Sequence, residues 1–291
     1  MVERSSCYRI FKMRRVICCL WAGDDLPSYS ANKYTEYDVA RLRRLIRKHL
    51  PGEHTFNVMT DAVWFSKLSA LQSTLYETTQ GFFEHDLNSK EEELSPPYTA
   101  SKSSVLNELS DVELWRFTGT DCGGWSKVLE AFGLPPDKDR TLLIGLDTVP
   151  INDISWLFDW DESPVGLPWD PLFTDVACDA VVTFNNEGAQ QVTQRYSKER
   201  LNGMKDYLMG IRPSEMMLLR AMFKENKWSA LEPFPPKKLL SYKAHVKPVC
   251  GPFLGVGPIP LDEASIVYFH GTPKPGELPL EDPIGQIWRN G

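Results

Sequence analysis

The sequence lacks several features that would assign a chain to a class at once. None of its apolar runs is long enough to span a bilayer, and the stretch VICCLWA near the start is too short for a signal-peptide core. Positive charge is not in excess: the net charge of -7 argues against a surface coated with basic residues for binding nucleic acid. We therefore expect a protein without a membrane span and with a cytoplasmic location.

Cysteine motifs and internal repeats are missing too. The 6 cysteines include no CxxC pair, so neither a zinc site nor a disulfide framework is indicated. Cys18 and Cys19 are adjacent in a predicted strand, which would turn their side chains to opposite faces of a sheet. What remains is a globular composition, 42% hydrophobic and 24% charged over 291 residues, enough for one large α/β domain or two small ones.

The beginning of the chain has the pattern of a strand, a helix and a second strand. RRVICCLWA is an apolar run preceded by charge, typical of a buried parallel strand. YTEYDVARLRRLIRKHL then has apolar residues at helical spacing and ends before Pro51 and Gly52, and HTFNVMTD is again strand-like. This order predicts a right-handed βαβ unit in a parallel sheet.

The rest of the chain alternates between strand and helix patterns. We predict strands at RTLLIGLDTVPI, CDAVVTFNNEG, PKKLLSYKAHV and ASIVYFHG, and helices at GGWSKVLEAFGL and RPSEMMLLRAMFKE. The segment DISWLFDWDESPVGLPWDPLF, rich in Trp, Asp and Pro, indicates an irregular loop region. Residues 66–120 contain a polar stretch with prolines, which predicts a surface excursion.

Each predicted strand ends on polar residues or glycine. Ligands of open α/β sheets bind at the carboxyl ends of the strands. That rule selects Trp21 to Asp25, Thr60 and Asp61, Asp147 and Thr148, Asn185 to Glu187, and His270 to Lys274.

Asp147 and His270 each allow a structural and a functional interpretation. An unpaired carboxylate is costly to bury, so Asp147 either meets a cation or backbone amides, or caps the turn before Pro150. A single histidine is commonly a packed core residue. A divalent ion held by one carboxylate, one imidazole and phosphate oxygens would nevertheless suit a diphosphate ligand, and Lys274 would add positive charge.

Several short segments occur in an informative order: LWAG, KYTEYDVARL, VMTD, GGWSKVLEAF, LLIGLDTVPI, LSYKAH and FHGTPKP. The set resembles nucleotide-sugar glycosyltransferases of the GT-A fold, of the glycogenin and bacterial galactosyltransferase type, and more closely bacterial and phage glycosyltransferase-like proteins. The resemblance implies one α/β domain over residues 1–291, with a Rossmann-like, mostly parallel sheet flanked by helices. It also implies a small antiparallel C-terminal part and a variable insertion at about residues 66–120.

The resemblance further implies a metal-dependent hexosyl- or pentosyltransferase. It would move a sugar from a nucleoside-diphosphate sugar, with UDP the expected nucleotide, to a hydroxyl acceptor. Asp147 and His270 would bind Mn²⁺ or Mg²⁺. The donor would contact Trp21, Ala22, Tyr34, Asp61, Lys127, Gly271 and Lys274.

One departure from the family concerns the acidic motif. The family has Asp-x-Asp where this chain has GLD, so Gly145 replaces the first carboxylate. The candidates for a catalytic carboxylate are Glu215, Glu187 and Asp175. For Glu215 the alternative is a helix-stabilising role in the first turn of its helix.

The acceptor stays open at this stage. Basic residues in ARLRRLIRKHL, VTQRYSKERLNGMKDY and FPPKKLLSYKAHVKP either contact DNA phosphates or form solvated helix faces. One hypothesis is therefore transfer to hydroxymethylated pyrimidines in phage DNA, in the host cytoplasm. The others are a glycan- or protein-directed glycosyltransferase, a non-catalytic nucleotide-sugar-binding homologue, and a phosphoryl or nucleotidyl transferase on a similar sheet.

Overall fold

The computed structural model describes residues 14–20, 34–79, 102–118, 124–134, 140–173, 176–202, 215–248 and 258–291. The helices are α1 (Glu36–His49), α2 (Ala62–Thr79), α3 (Lys102–Leu109), α4 (Trp156–Asp159), α5 (Asn186–Asn202), α6 (Glu215–Glu225) and α7 (Pro283–Asn290). The strands are β1 (Arg14–Leu20), β2 (His54–Thr60), β3 (Glu113–Arg116), β4 (Thr141–Ile144), β5 (Thr148–Pro150), β6 (Val165–Gly166), β7 (Val181–Phe184), β8 (Leu239–Ser241) and β9 (Ile266–Tyr268). A 3₁₀ helix spans Gly124–Gly133 and a π-helical turn spans Tyr242–Val246.

The main sheet has six strands in the order β3-β2-β1-β4-β7-β6. β3, β2, β1 and β4 are parallel to one another, and β7 runs antiparallel to both of its neighbours. β1 and β2 pair along their full length, from Arg14 with His54 to Leu20 with Thr60. The predicted mostly parallel sheet flanked by helices is therefore confirmed, as is the strand–helix–strand order at its start.

Both faces of the main sheet are covered, which explains the continuous apolar pattern of β1. Val16 and Cys18 pack in the core cluster that contains the buried face of α1. Ile17 and Cys19 point the other way, into the cluster formed with the 3₁₀ helix and α5. The adjacent cysteines thus face opposite sides of the sheet, as predicted. None of the helices that the structure describes is long and apolar enough to cross a bilayer.

A second sheet of three strands, in the order β5-β9-β8, lies beside the main sheet. β9 is antiparallel to β5 but parallel to β8, so the prediction of an antiparallel C-terminal part is wrong for one of the two strand pairs. The segment RTLLIGLDTVPI, predicted as one strand, forms β4 in the main sheet and β5 in the small one. The break falls at Gly145–Asp147, because there the chain leaves β1 and β7 and pairs with β9 instead.

The direction of β7 corrects a prediction about the sheet edge. Thr141 of β4 lies opposite Phe184, and Ile144 lies opposite Val181. The carboxyl end of β7 is therefore at the edge opposite to the carboxyl end of β4. The expectation that Asn185 to Glu187 join Asp147 at one edge is wrong for this reason, and the residues before β7 take that position instead.

Two other segments can be compared with the sequence-based prediction. Within residues 66–120, α2, α3 and β3 belong to the main layers, with β3 as an edge strand of the sheet. Most of the polar stretch predicted as a surface excursion lies outside the described residues. In PKKLLSYKAHV only Leu239–Ser241 is a strand. The chain then turns into the π-helical segment, where Ser241 Oγ accepts a hydrogen bond from the amide of Ala244 at 3.3 Å.

Candidate active site

Asp147 and His270 are brought together by the pairing of β5 with β9. Thr148 lies opposite Tyr268 in this antiparallel pair, and the amide of Phe269 donates a hydrogen bond to the carbonyl of Asp147 at 3.1 Å. The residue before β5 and the residue that follows Phe269 are therefore neighbours. Two segments more than a hundred positions apart in the sequence thus place a carboxylate and an imidazole at one edge.

Lys274 is ion-paired with Asp147. Its Nζ lies 2.6 Å from Asp147 Oδ2, and the two side chains are only 14% and 23% exposed. The same ammonium group lies 5.3 Å from the centroid of the Tyr34 ring. Burial, followed by the charge of Asp147, raises the pKa of Tyr34 above its usual range, so the phenol stays neutral beside the ion pair.

His270 is oriented by the turn that follows β8. Its Nε2 lies 2.7 Å from Ser241 Oγ, so Nδ1 is the ring nitrogen that can bind a metal ion while Ser241 holds the ring. The amide of Ser241 in turn donates to His245 Nδ1 at 3.0 Å. Burial lowers the pKa of His270, although Asp147 opposes the shift, and burial together with His270 lowers the pKa of His245 to about 4. Both imidazoles are therefore neutral at neutral pH.

The loop between His270 and Lys274 begins with a glycine in a left-handed conformation. Gly271 has φ of +61°, which any other residue would adopt only with strain. Further along, the amide of Lys274 donates to Glu277 Oε2 at 2.7 Å, and this bond anchors the backbone of the lysine. Gly271 thus leaves the backbone accessible, while Lys274 is held in place against Asp147.

These residues form one wall of a cavity of about 940 Å³. The cavity opens at the carboxyl ends of β1 and β4, where Leu20 and Ile144 contribute to its lining. A cavity of this size is large enough for a ligand of several hundred daltons. It lies where the parallel-sheet rule predicts a binding site.

The opposite wall carries a buried ion pair. Asp170, which is 7% exposed, is salt-bridged to Arg220, and Arg220 Nε also donates to the carbonyl of Ala177 at 2.8 Å. Asp170 Oδ1 accepts from the amides of Leu172 and Phe173 at 2.8 and 3.1 Å. The side chains of Leu172 and Phe173 are 44% and 57% exposed. The ion pair therefore fixes a loop that presents two apolar side chains at the cavity.

A carboxyl pair, Asp179 and Glu215, lies on the cavity lining between these walls. Burial and, for Glu215, the neighbouring Asp179 raise the pKa of both groups above their usual values. Oε2 of Glu215 is buried and has no hydrogen-bond partner among the described residues. Two close carboxyl groups cannot both ionise without cost, so at least one of them keeps its proton to a higher pH than an isolated carboxyl group.

The structure brings together six of the predicted site residues. Those lining the cavity are Tyr34, Asp147, Glu215, His270, Gly271 and Lys274. Asp61 instead caps α2, with Oδ1 accepting from the amide of Trp64 at 2.9 Å. Lys127 lies in the 3₁₀ helix, one residue before the lining residue Val128.

The remaining predicted residues are separated from the cavity or lie outside the described residues. Glu187 is in the first turn of α5 at the opposite edge, where its Oε1 accepts from Gln191 at 3.0 Å. Trp21, Ala22 and Asp175 lie outside the residues that the structure describes.

Sequence reasoning missed Asp170, Asp179 and Arg220. Asp179 stands directly before β7, so only the antiparallel direction of that strand brings it to the site. Asp170 and Arg220 are 50 positions apart, and neither belongs to a recognisable motif. The cluster of Trp, Asp and Pro that contains Asp170 was the one available signal.

Gly145 lets the Asp147 carboxylate lie against the backbone. A Cβ at this position would lie 2.7 Å from Asp147 Oδ1 and 3.4 Å from Thr148 Oγ1, so a side chain here would have to displace the carboxylate. The Thr148 hydroxyl is buried and has no partner within the described part of the chain.

The protein side chains offer a divalent ion two ligands at this point. No group of three or more His, Cys, Asp or Glu side chains is placed for metal binding within the described ranges. Asp147 and His270 supply one carboxylate and one imidazole. The site fits a divalent ion whose other ligands come from a bound diphosphate and water.

Three arginines on the basic face of α1 are paired with carboxylates of the same chain. Arg43 pairs with Asp111, and Arg44 and Arg47 pair with Glu108. Arg43 is also buried. These arginines are therefore structural partners of the region after α2, and not the phosphate-contacting surface that the sequence allowed.

The fold is similar to that of solved glycosyltransferase structures of the GT-A type. Glycosyltransferase GlyE of Streptococcus pneumoniae TIGR4 is similar with a TM-score of 0.57 and 14% identity, over 95% of this chain and 59% of GlyE. Galactosyltransferase LgtC, in complex with donor and acceptor sugar analogues, has a TM-score of 0.54 and 11% identity, over 95% of each chain. The bifunctional glycosyltransferase WbbM has a TM-score of 0.53 and 11% identity, over 97% of this chain and 50% of WbbM.

Identities this low establish a shared fold. No protein-family model and no curated protein sequence matches this chain.

Proposed function

We propose that the protein is a glycosyltransferase that moves a sugar from a nucleoside-diphosphate sugar to a hydroxyl acceptor. The observation that carries the proposal is the meeting of Asp147, His270, Gly271 and Lys274 at one wall of the 940 Å³ cavity. These residues combine a carboxylate, a neutral imidazole, an open backbone and an ammonium group. That combination suits a diphosphate and its counter-ion better than an uncharged ligand.

On this wall each residue has a distinct role. Asp147 and His270 would hold a Mn²⁺ or Mg²⁺ ion, which when bound supplies Lewis-acid stabilisation of the departing diphosphate. Gly271 lets the diphosphate approach the backbone. Lys274 exchanges its bond with Asp147 for a phosphate oxygen and neutralises charge as the sugar leaves. Tyr34 lies beside this group and would pack against the nucleotide.

The other side of the cavity suits the sugar and the acceptor. Burial and their mutual proximity raise the pKa of both Asp179 and Glu215, so a pair with one protonated member can both donate and accept hydrogen bonds with sugar hydroxyls. Glu215 is the candidate base toward an acceptor hydroxyl, because a raised pKa makes a carboxylate a better proton acceptor near neutral pH. Phe173, at the exposed end of this wall, offers an aromatic face to the acceptor.

The first test is donor turnover. The wild type would be incubated with a panel of nucleotide sugars, beginning with UDP-sugars, with and without Mn²⁺, and release of nucleoside diphosphate would be measured. Asp147→Ala and His270→Ala should each abolish release while the far-UV circular dichroism stays that of the wild type. Glu162→Ala, an exposed carboxylate outside the cavity lining, is the matched control and should leave release unchanged. Wild-type turnover in either cavity variant would contradict the proposed site.

The acceptor has its own test. DNA carrying hydroxymethylated pyrimidines is one acceptor class, and glycans or proteins are the others. Mass spectrometry of DNA from cells that make both the protein and hydroxymethylated bases would show a hexose or pentose mass increment if DNA is the acceptor. An unchanged base mass, with donor turnover intact, would direct the search to glycans and proteins.

Gly145 favours a second candidate, a protein that binds nucleotide sugars without turning them over. The missing carboxylate would weaken metal binding. The wall formed by Asp147, His270, Gly271 and Lys274, which we call the donor wall, would stay in place. Donor-dependent thermal stabilisation without any turnover, across the panel and with Mn²⁺ present, would favour this candidate. Release of pyrophosphate in place of nucleoside diphosphate would indicate a nucleotidyl transferase.

A further inference from the structure

The donor wall has less positive charge available than a diphosphate requires. Lys274 is already bound to Asp147 at 2.6 Å, so this pair has no net charge before a donor arrives. His270 is neutral, and a divalent ion would find only two protein ligands among the described residues. A nucleoside diphosphate brings at least two negative charges into the same space. Without a divalent ion, which would itself bring two positive charges, the wall therefore needs a further cation to balance the diphosphate.

Lys243 is placed to supply that cation. A Cβ built on Gly271 would lie 3.6 Å from Lys243 Nζ, so the ammonium group stands on the side of Gly271 where other residues carry a side chain. Within the part of the chain that the structure describes, Lys243 has no hydrogen bond or ion pair. Gly271 itself lines the cavity.

The turn that carries Lys243 is rigid on both sides of the lysine. Tyr242 stacks on Phe269 with the ring centroids 4.6 Å apart and donates its hydroxyl to Asp282 at 2.7 Å. Tyr242, Ala244 and His245 are buried, and Lys243, between Tyr242 and Ala244, is partly exposed. π-helical turns are rare and occur disproportionately at functional sites. The turn thus buries the neighbours of the lysine and presents its ammonium group next to Gly271.

We propose that Lys243 is a second phosphate-binding lysine of this site, which contacts the diphosphate across Gly271 and supplies the charge that the Lys274–Asp147 pair lacks. This inference rests on the proposed function and extends it to a residue of the π-helical turn. It also gives a reason for a glycine at position 271 besides its backbone conformation, because a side chain there would stand between the ammonium group and the phosphates.

The test measures binding directly, without relying on turnover. Inorganic pyrophosphate and UDP would be titrated calorimetrically at low ionic strength, with and without Mg²⁺, into the wild type and three variants. Lys243→Met removes the charge, Lys243→Arg keeps it, and Lys237→Met removes a charge from an exposed surface pair with Glu263. Thermal unfolding of each variant checks the fold, which should be unaffected because Lys243 has no described structural partner.

We expect Lys243→Met to weaken both ligands about tenfold or more, as for loss of one charge-assisted contact. Lys243→Arg should stay close to the wild type, Lys237→Met should match it, and added salt should shrink the difference between Lys243→Met and the wild type. Equal affinities of the wild type and a folded Lys243→Met variant would overturn the inference. If the wild type still turns over a donor in that case, the proposed function stands. Absence of any UDP or pyrophosphate binding by the wild type would overturn both.

Discussion

Replacing Lys274 by methionine gives the sharpest test of the metal-binding hypothesis. The ammonium group occupies Asp147 Oδ2 at 2.6 Å, which is the position that a divalent ion would need. Methionine keeps the length and apolar stem of the side chain but removes the charge. The Asp147 side chain, which is 23% exposed, then has no ion-pair partner.

The cost of this change without metal follows from the geometry. A charge-assisted hydrogen bond between partly buried groups contributes about 1.5–3 kcal/mol. For a chain of 291 residues each kcal/mol corresponds to about 1.6 °C in the melting temperature. We therefore expect the metal-free Lys274→Met variant to melt several degrees below the wild type, because the Asp147 carboxylate loses its compensating charge.

Manganese should raise the melting temperature of Lys274→Met more than that of the wild type. In the wild type the ion competes with the ammonium group, whereas in Lys274→Met it meets a free carboxylate. Ligand binding stabilises the folded state by RT ln(1 + [L]/Kd), so a lower Kd gives the variant the larger upward shift. Thermal unfolding at increasing manganese concentrations measures this shift. The protein is first treated with a chelator so that it starts free of divalent ions.

A double variant supplies the control. Lys274→Met combined with Asp147→Asn should lose the additional response to manganese, because the amide is a weaker ligand than the carboxylate. Equal manganese shifts in the wild type, Lys274→Met and the double variant would refute the assignment of Asp147 as a metal ligand.

Three further predictions follow from the described contacts. Although burial opposes it, hydrogen bonds from Lys247 and Tyr242 lower the pKa of Asp282, so the stabilisation by its carboxylate is present above the unfolded pKa and is lost as pH falls through the folded pKa. Asn caps a helix about as well as Asp, so Asp282→Asn should cost about 1.5–3 kcal/mol at neutral pH, and less in acid, in denaturant unfolding. The raised pKa values of Asp179 and Glu215 make stability fall as pH rises through the unfolded values. Glu215→Gln should therefore be more stable than the wild type in alkaline buffer, while its turnover drops about 10²-fold or more. An unchanged pH profile of stability would contradict the raised pKa values of Asp179 and Glu215. Gly145→Asp should bind Mn²⁺ more tightly through its added carboxylate. It should be less stable without metal, because the new Cβ meets Asp147 Oδ1 at 2.7 Å. Isothermal titration measures the affinity and metal-free melting the stability, and unchanged Mn²⁺ affinity would count against the metal position.

Much of the donor wall could be predicted because its signals are local. Asp147 ends an apolar run, and His270, Gly271 and Lys274 follow another within a few residues. A polar group at the end of a buried strand indicates the ligand edge of an α/β sheet without any knowledge of the partner strands. The order of several such segments along the chain added the GT-A fold, which the similar structures confirm.

The opposite wall could not be predicted because its residues meet only through strand direction and helix placement. Asp179 reaches the cavity because β7 runs antiparallel to β4, and the same fact takes Glu187 to the far edge. The two interpretations of the basic pattern of α1 could not be separated for a related reason. Its arginines pair with Glu108 and Asp111, which the segment after α2 brings back to the helix.

The sequence by itself determined the strand–helix–strand start, the mostly parallel sheet and the residues of the donor wall, since apolar periodicity and polar strand ends are properties of neighbouring residues. Only the tertiary structure decided where the continuous run RTLLIGLDTVPI divides between two sheets, because at Gly145 the hydrogen-bonding partner changes from β7 to β9. The same folding placed Lys274 on Asp147 and Lys243 beside Gly271. Charge balance at the site depends on these distances, which no local pattern contains.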